Sequence, residues 1–253
     1  MKEHTDRVRR LYNGRAEHGP YGTLAPHDRG GRKSRYVAEV FDAALIPRFQ
    51  ADPETKRLLD FGCGTGLFTL KVYPYCHRIA GVDISLSLLA VARRLSEKEG
   101  LKIPWVRTDG FQLPFKNGEF NRLVARETLC HVADADLPRV IKEIARVLAR
   151  GAKFYLLEQV SESPKWQHHP KAPLVIKRPL MRIRKYFEDA GYEEQEATVI
   201  RRPRFPGIYF IQFGLLPEAF IPHLARWELR LNRRFGGLRT QRWQNVLFVF
   251  EKR

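Results

Sequence analysis

The stretch RLLDFGCGTGLFTL, residues 57–70, decides the fold of this chain. Mostly apolar residues lead into a loop with glycine at every second position, Gly62, Gly64 and Gly66, and apolar residues resume after it. This order predicts a buried β-strand, a turn whose bare backbone can approach a ligand closely, and a helix. A dinucleotide-binding loop would place its third glycine where Leu67 stands, and no P-loop Gly-Lys-Ser/Thr follows. The loop therefore suits a ligand without a pyrophosphate.

Strand and helix patterns alternate along the chain on both sides of this loop. The predicted strands cover residues 56–61, 77–83, 102–109, 119–127 and 152–160, and the predicted helices cover residues 4–11, 34–49, 67–76, 85–100, 135–151 and 179–191. Ser85 is expected to cap one helix and Gly100 to end it, and Pro47 is expected to limit the helix before the loop. The alternation predicts an α/β fold, a Rossmann-like doubly wound sheet with helices on both faces.

The C-terminal part follows a different pattern. Residues 193–202 and 241–253 both resemble strands, but no full crossover helix joins them, so we expect five parallel strands followed by a closing pair. An insert, residues 203–240, lies between them. Its predicted helix carries an apolar stripe, and so does the helix predicted over residues 135–151, whose stripe is Val140, Ile144, Val147 and Leu148. The stripe of the insert consists of Phe220, Leu224, Trp227, Leu231 and Phe235, with Arg226, Arg230 and Arg233 beside it.

We predict that the chain is divided into four segments. Residues 1–50 form a helical lid, residues 51–202 a ligand-binding core, residues 203–240 an acceptor-side cap, and residues 241–253 the last core strand. The length of 253 residues and the composition, 43% hydrophobic and 29% charged, are typical of a globular chain with one large, elaborated domain.

Net charge is the unusual global property, at +17. Residues 201–253 hold eleven Lys and Arg against three Asp and Glu, a net charge of +8. This excess favours anionic partners such as RNA, phospholipid surfaces or phosphorylated substrates, and a solvated basic surface is the alternative.

Cysteine usage and hydropathy indicate the compartment. No apolar run reaches the ~20 residues of a membrane span, and the charged N-terminus lacks the apolar segment of a secretory signal. The three cysteines share no CxxC spacing, which argues against structural disulfides and a zinc site. We therefore expect a cytoplasmic protein without a metal, with peripheral contact at the inner membrane face left open.

Acidic residues end three successive predicted strands. Asp60 precedes the glycine loop, Asp83 closes the second strand and Asp109 closes the third. Because the carboxyl ends of parallel strands meet at one edge of a sheet, these residues are expected around one site. Asp83 can accept both hydroxyls of a ribose, Asp109 can accept the amine of an adenine, and Phe111 can pack near its ring. The set predicts an adenosine that carries a charged amino-acid tail.

Taken in order, the motifs resemble the class I S-adenosylmethionine-dependent methyltransferase family, in its small-molecule, type 11-like branch. The matching segments are LLDFGCGTG, GVDIS, TDGFQLPF, FNRLVARETLCHV and ARVLARGAKFYLLE. The resemblance implies a seven-stranded sheet, mostly parallel with a reversed last strand. It also implies S-adenosyl-L-methionine as cofactor and S-adenosyl-L-homocysteine as product.

The resemblance assigns cofactor contacts residue by residue. They are Asp60, Gly62, Cys63, Gly64 and Gly66 for the methionine part, Asp83 and Ile84 for the ribose side, Asp109, Gly110 and Phe111 for the adenine, and Arg126 beside the sulfonium. The alternative for the glycines is an ordinary strand-to-helix turn, and for Asp83 a helix cap.

Two ionisable residues are the catalytic candidates, Glu127 at the end of the fourth predicted strand and His131 just after it. Methyl transfer from a sulfonium depends mainly on alignment, and a hydroxyl acceptor also needs a general base. Either side chain can take that proton. The alternatives are a structural histidine bonded to backbone and a glutamate that lines the pocket. His168 and His169 are interpreted as a surface loop, because no third metal ligand is evident.

The N-terminal segment offers three candidates for capping the cofactor, namely Tyr12, Tyr21 and Arg35. The expected acceptor is a hydroxyl of a small molecule, a sugar or a lipid-linked glycan, anionic if it uses the basic surface. The insert with the last strand is loosely similar to methyltransferases of bacterial surface-polysaccharide and lipid-linked sugar pathways. Its helix is typical of basic amphipathic helices on anionic membranes, unless its apolar stripe packs on the core.

Two further hypotheses stay open at this point. An RNA methyltransferase would use the same cofactor site and assign the basic C-terminal region to phosphate contacts. A non-catalytic adaptor would keep the fold alone, although it would need none of the three acids at the strand ends. The oligomeric state is not indicated by the sequence.

Overall fold

The computed structural model describes residues 2–21, 28, 31–54, 56–169, 172–202, 205, 207–235 and 243–253. The strands in this part are β1 (Arg57–Phe61), β2 (Arg78–Asp83), β3 (Trp105–Arg107), β4 (Phe120–Arg126), β5 (Leu148–Val160), β6 (His168–His169), β7 (Ala172–Ile176), β8 (Tyr192–Arg201) and β9 (Gln244–Lys252). The helices are α1 (Lys2–Arg15), α2 (Arg32–Ala51), α3 (Leu67–Val72), α4 (Leu86–Lys98), α5 (Leu137–Val147), α6 (Pro164–Gln167), α7 (Leu180–Asp189), α8 (Gly207–Gln212) and α9 (Ile221–Phe235).

Seven strands form one sheet in the order β3-β2-β1-β4-β5-β9-β8. Strands β1 to β5 are parallel, and β9 runs antiparallel to both of its neighbours, β5 and β8. The predicted seven-stranded, doubly wound sheet with a reversed last strand is therefore confirmed. The chain moves outward from β1 in both directions, so a ligand crevice is expected at the carboxyl end of β1. His168 and His169 form β6, paired with β7, instead of the predicted loop.

Helices cover both faces of the sheet. Leu58 and Leu59 are neighbours in β1, and their side chains enter two different apolar clusters because successive strand residues point to opposite faces. The first cluster includes residues of α2, α3, α4, α8 and α9, and the second includes residues of α5 and α7. The core is thus three layers thick, with the sheet in the middle.

Pro47 lies inside α2 and does not end it, contrary to the sequence prediction. The next turn contains Phe49, which is buried and packs its ring against those of Phe68 and Tyr155. A proline removes one backbone donor from a helix, and this packing keeps the last turn helical beyond it.

The helix predicted over residues 135–151 ends earlier, at Val147. Leu148 therefore does not belong to its apolar stripe. It begins β5 and pairs with Phe120 of β4. Strand pairing with a distant part of the chain overrides the local helical spacing at this point.

Helix α9 buries a different face from the one predicted. Phe220 and Trp227 are 53% and 54% exposed, so the alternative in which the whole apolar stripe packs on the core is wrong for these two residues. The buried positions are Ile221, Ala225, Glu228 and Leu229. This face packs on α2 and β8, and the hydroxyl of Tyr36 in α2 donates a hydrogen bond to Glu228. A buried carboxylate needs such a donor, which fixes the rotation of α9. The side chain of Phe235 is outside the described part.

Trp105 of β3 supports the glycine loop from below. A Cβ atom at Gly81 would lie 2.3 Å from the Trp105 ring, and one at Gly66 would lie 2.6 Å from it. The indole nitrogen donates to Ser96 Oγ over 3.0 Å, which holds the ring in place. Glycine is therefore required at both positions by the width of the indole.

Replacing Gly81 by alanine should lower the free energy of unfolding by about 1–3 kcal/mol, because the new methyl group overlaps the Trp105 ring. Urea unfolding followed by circular dichroism measures the change. Gly14→Ala is the matched control, since a Cβ atom there meets nothing within 4 Å. Equal stability of the two variants would contradict the tight packing under the loop.

Candidate active site

A large cavity opens at the carboxyl ends of β1, β2 and β4, where the sheet order places β1 between the other two strands. It encloses about 1370 Å³ of empty space, its open mouth included. Its walls come from the loops after these strands, the loop after β3, and helices α1 and α2.

The glycine loop forms the floor of the cavity. Gly62, Cys63 and Gly64 line it, and the backbone N–H groups of Gly62 and Cys63 both donate to the carbonyl of Val82. Gly62 has a φ of 75°, and a Cβ atom there would lie 2.2 Å from Thr128 Oγ1. Glycine is thus needed both for the backbone conformation and for the close approach of the loop after β4.

Asp83 lies on the cavity wall next to the glycine loop. Its Oδ2 accepts the N–H of Gly64 and its Oδ1 accepts the N–H of Ser85, each over 2.9 Å. Burial raises the pKa of Asp83, and the backbone donors oppose that shift. The cap of α4 is Ser85, as predicted, with its Oγ accepting from the N–H of Leu88. Each carboxylate oxygen of Asp83 keeps a lone pair for a ligand.

The segment after β3 forms the opposite end of the same wall. Asp109, Gly110 and Phe111 all line the cavity, and so does Ile84 after β2. Asp109 Oδ1 accepts the N–H of Phe111 over 3.2 Å, which closes a tight turn. The guanidinium of Arg139 lies 5.0 Å from the centre of the Phe111 ring. The structure therefore brings the predicted ribose and adenine residues to one surface.

Two predicted contact residues do not line the cavity. Asp60 is 1% exposed, and its Oδ2 accepts the hydroxyl of Thr69 in α3 over 2.5 Å. Burial raises the pKa of Asp60 to about 6. Gly66 faces Trp105 beneath the loop. Both residues lie behind the loop, and their contact with the methionine part of the cofactor stays a prediction.

Arg126 lies on the cavity wall and bonds to Asp42, a residue that the sequence analysis missed. Its Nη1 donates to Asp42 Oδ1 over 2.9 Å, and Lys71 Nζ donates to the other oxygen of Asp42 over 2.6 Å. The Arg126 guanidinium also lies 4.2 Å from the centre of the Phe68 ring. An acidic residue inside the apolar run VFDAAL of α2 was the available signal for Asp42.

Glu127 occupies a strained backbone position on the wall. Its φ is 52°, the one positive value at a non-glycine residue in the described part of the chain. Its Oε1 accepts the side-chain amides of Gln159 and Asn245, over 2.9 and 2.6 Å. Such backbone strain is concentrated at functional sites in proteins. The two amides were missed, although each is a polar residue close to an apolar run of its strand.

A buried carboxylate, Glu158, shapes the loop after β4. Its Oε1 accepts the backbone N–H groups of Thr128, Leu129 and Cys130, over 3.0, 2.7 and 3.3 Å. Burial and the neighbouring Glu127 raise the pKa of Glu158 to about 7. Three donors on one oxygen hold the loop in a single conformation, which places Glu127 and His131 on the cavity wall.

His131 connects this loop to α1. Its Nδ1 lies 3.0 Å from the carbonyl of Leu174, so it must donate to that oxygen. Its Nε2 then accepts the hydroxyl of Tyr12 over 2.6 Å. Burial lowers the pKa of His131 to about 4. The hydrogen bond to the carbonyl of Leu174 agrees with the alternative of a structural histidine bonded to backbone. The nitrogen that a general base would use already accepts the hydroxyl of Tyr12.

Helix α1 closes one side of the cavity. Tyr12 and Tyr21 line it, as predicted for capping residues. Arg35 does not line it, because its guanidinium pairs with Glu218 of the insert over 2.5 Å. Ser85 also donates to Asn13 Oδ1 over 2.7 Å, which ties α1 to the start of α4.

Three other features bear on the sequence predictions. No described residue of the insert lines the cavity. Over the described ranges, no group of three His, Cys, Asp or Glu side chains could hold a metal ion. In the same ranges, none of the helices combines the length and apolarity that crossing a membrane requires.

Known proteins are similar to this chain over the strands that build the cavity. The family profile described as "Methyltransferase domain" matches residues 59–156. Ajmaline N-methyltransferase of Rauvolfia serpentina is 30% identical over 152 residues, 57% of this chain and 52% of that protein. Demethylmenaquinone methyltransferase of Thermus thermophilus is 33% identical over 130 residues, 51% of this chain and 56% of that protein. The matched part spans about half the length of each relative.

A solved structure shares the fold over almost the whole chain. Geranyl diphosphate C-methyltransferase of Streptomyces coelicolor A3(2), in complex with S-adenosyl-L-homocysteine, superposes with a TM-score of 0.70. It is 14% identical in sequence, and the match covers 99% of this chain and 98% of that one. The family profile thus supports a methyltransferase domain over residues 59–156, and the solved structure shows the same fold as this chain.

Acid should weaken this protein through His131. The folded-state pKa of about 4 lies below the ordinary value of 6.5, so between these values the unfolded chain binds a proton that the folded chain does not. Stability should fall as pH drops from about 6.5 to 4, by up to about 3 kcal/mol from this group.

Urea unfolding of wild type and His131→Gln across that pH window measures this contribution. The stability difference between them should narrow towards pH 4. His77→Gln, at an exposed histidine, is the control and should leave the pH profile unchanged. A constant difference between wild type and His131→Gln would show that His131 is not buried in its neutral form.

Proposed function

We propose that this chain is a class I S-adenosylmethionine-dependent methyltransferase, which transfers a methyl group from that cofactor to a small-molecule acceptor. One observation supports this above the others. A single cavity joins the glycine loop and Asp83 to the loop that carries Glu127. The bound cofactor would supply the methyl group on a sulfonium, and the chain would align the acceptor with it.

The cavity residues fit the parts of the cofactor. The free lone pairs of Asp83 suit ribose hydroxyls, and the turn at Asp109–Phe111 suits an adenine edge and face. The methionine tail carries one charge of each sign. Arg126 and Asp42 present both signs on the wall beside the glycine loop, which is the chemistry that such a tail requires.

We assign proton removal to Glu127 and a positioning role to His131. Glu127 Oε1 is held from behind by Gln159 and Asn245, which orients the carboxylate on the wall. The lone pair of His131 is engaged by Tyr12. A hydroxyl acceptor loses its proton during methylation, so it benefits from a fixed carboxylate in this place.

The acceptor class that we propose is a hydroxyl of a sugar or a lipid-linked glycan, at the cytoplasmic face of a membrane. The proteins similar to this chain include an N-methyltransferase, an O-methyltransferase and, by fold, a C-methyltransferase, so the acceptor atom varies among them. A carboxylate base on the wall favours oxygen here, because hydroxyls are the acceptors that most need one.

Transfer of labelled methyl from S-adenosylmethionine into the lipid, glycan and RNA fractions of a bacterial lysate tests the proposal. Label in the lipid or glycan fraction would support it. Label in RNA would identify an RNA methyltransferase and turn the basic C-terminal region into a phosphate-binding surface. Absence of both transfer and cofactor binding would support the non-catalytic adaptor.

Asp83→Ala should weaken cofactor binding by about tenfold or more, because a hydrogen-bonding carboxylate is lost from the wall. Isothermal titration calorimetry with S-adenosyl-L-homocysteine measures the affinity. Asp189→Ala, at an exposed residue of α7, should bind like wild type. Equal affinity of both variants would contradict the ribose assignment of Asp83.

Glu127→Gln should slow turnover of a hydroxyl acceptor by about 10²–10⁴-fold, because the amide keeps the shape but cannot take a proton. Cofactor affinity should stay unchanged. Initial rates over a pH series measure turnover, and calorimetry with S-adenosyl-L-homocysteine measures cofactor affinity. Glu99→Gln, at an exposed position, is the control. A full-speed Glu127→Gln enzyme would reduce Glu127 to a wall residue.

A further inference from the structure

The insert exposes six large apolar side chains within 19 residues of sequence, which we call the insert patch. They are Tyr209, Phe210, Phe213, Leu215, Phe220 and Trp227, between 48% and 69% exposed. The other large apolar side chains found exposed in the described chain lie singly, on α1, α4 and α7 and at Tyr75. Single exposed apolar residues are common on proteins, whereas a cluster of this kind marks an interaction surface.

Helices α8 and α9 present this patch together with the segment that joins them. Phe205, just before α8, packs its ring against Trp227 of α9 at 5.5 Å between ring centres. A Cβ atom at Gly207 would lie 2.9 Å from Leu224 of α9. The start of α8 therefore rests on α9. Both helices also bury their opposite faces in one apolar cluster, so the insert is a fixed part of the fold.

The charges around the patch are positive. Arg226 and Arg230 are exposed and flank Trp227 on the outer face of α9. The acidic residues of the described insert are both engaged elsewhere. Glu218 pairs with Arg35, and Glu228 is fully buried against Tyr36. The patch thus combines exposed aromatic rings with arginines and offers no exposed acidic side chain outside an ion pair.

The insert patch is connected directly to the cavity wall through α2. Arg32 donates to the carbonyl of Leu216 over 2.9 Å, and Arg35 pairs with Glu218. Ala38 and Asp42 of the same helix line the cavity. At 1.5 Å per residue, these positions lie ~5 and ~10 Å along the helix from Arg35. A surface bound to the patch would therefore lie close to the cavity.

We propose that the insert patch docks on the surface of a bilayer that contains anionic phospholipid. Aromatic side chains settle at the boundary between headgroups and acyl chains, and arginines bind anionic headgroups. A second copy of this chain would bring like charges together, which opposes association. A nucleic acid would engage the arginines but leave Phe213 and Leu215 in water. Docking requires no cofactor, so it goes beyond the proposed function and can be tested without it.

Co-sedimentation of the full chain with vesicles tests this inference. Vesicles of equal parts phosphatidylcholine and phosphatidylglycerol should bind the protein about tenfold more tightly than phosphatidylcholine alone, and added salt should weaken the binding. Comparable binding to both, or to neither, would overturn the proposal.

Two double variants assign the binding to the patch. Phe213→Ser with Leu215→Ser should lower binding by about tenfold or more, since both side chains would leave the apolar boundary. Arg226→Glu with Arg230→Glu should abolish the preference for phosphatidylglycerol. The matched controls are Met181→Ser on α7 and Arg93→Glu with Arg94→Glu on α4, all exposed positions outside the insert. Binding lost equally in controls and patch variants would overturn the assignment.

Two further readouts separate this inference from its alternatives. Sedimentation velocity reports the oligomeric state, and patch variants that dissociate a dimer without changing vesicle binding would assign the patch to a second copy. Affinity for S-adenosyl-L-homocysteine should be unchanged in all patch variants, which shows that they fold. If Asp83→Ala leaves cofactor binding intact while the patch variants still lose vesicle binding, the proposed function fails and the docking surface stands.

Discussion

The close approach of Gly62 to Thr128 is the constraint on which the site depends. The first residue follows β1 and the second follows β4, and no side chain fits between them at Gly62. Because the two loops touch, the part of the cavity suited to a cofactor and the part that carries Glu127 form one continuous wall. A wider gap would separate the two ligands that methyl transfer has to bring into line.

Buried carboxylates hold these loops in shape at a cost in stability. Asp60, Asp83 and Glu158 are all buried, and burial raises the pKa of each. Each compensates by accepting hydrogen bonds, from the hydroxyl of Thr69 or from backbone N–H groups. A hydrophobic residue in these places would pack as well but would leave loop donors unsatisfied. The acids therefore fix the conformation of the loops whether or not a ligand is bound.

Local patterns in the sequence were sufficient for the sheet and for the cavity residues next to the strand ends. Asp83 could be predicted because a strand pattern ends on it. The roles of Glu158 and Asn245 could not be predicted, because the groups that they bond lie about 30 and 118 residues away in sequence. The prediction of which face of α9 is buried was wrong for the same reason. Its spacing favours Trp227 as a buried position, but the bond between Tyr36 and Glu228 turns the other face inward. Long-range polar partners, not periodicity, decide these cases.

Helix α2 links the chemistry of the cavity to the outer surface of the insert. Its first turn holds the insert through Arg32 and Arg35, and Asp42, less than three turns further on, bonds to Arg126 on the cavity wall. For an acceptor with a lipid tail, α2 would then contact both the insert that touches the membrane and the cavity that receives the reacting hydroxyl.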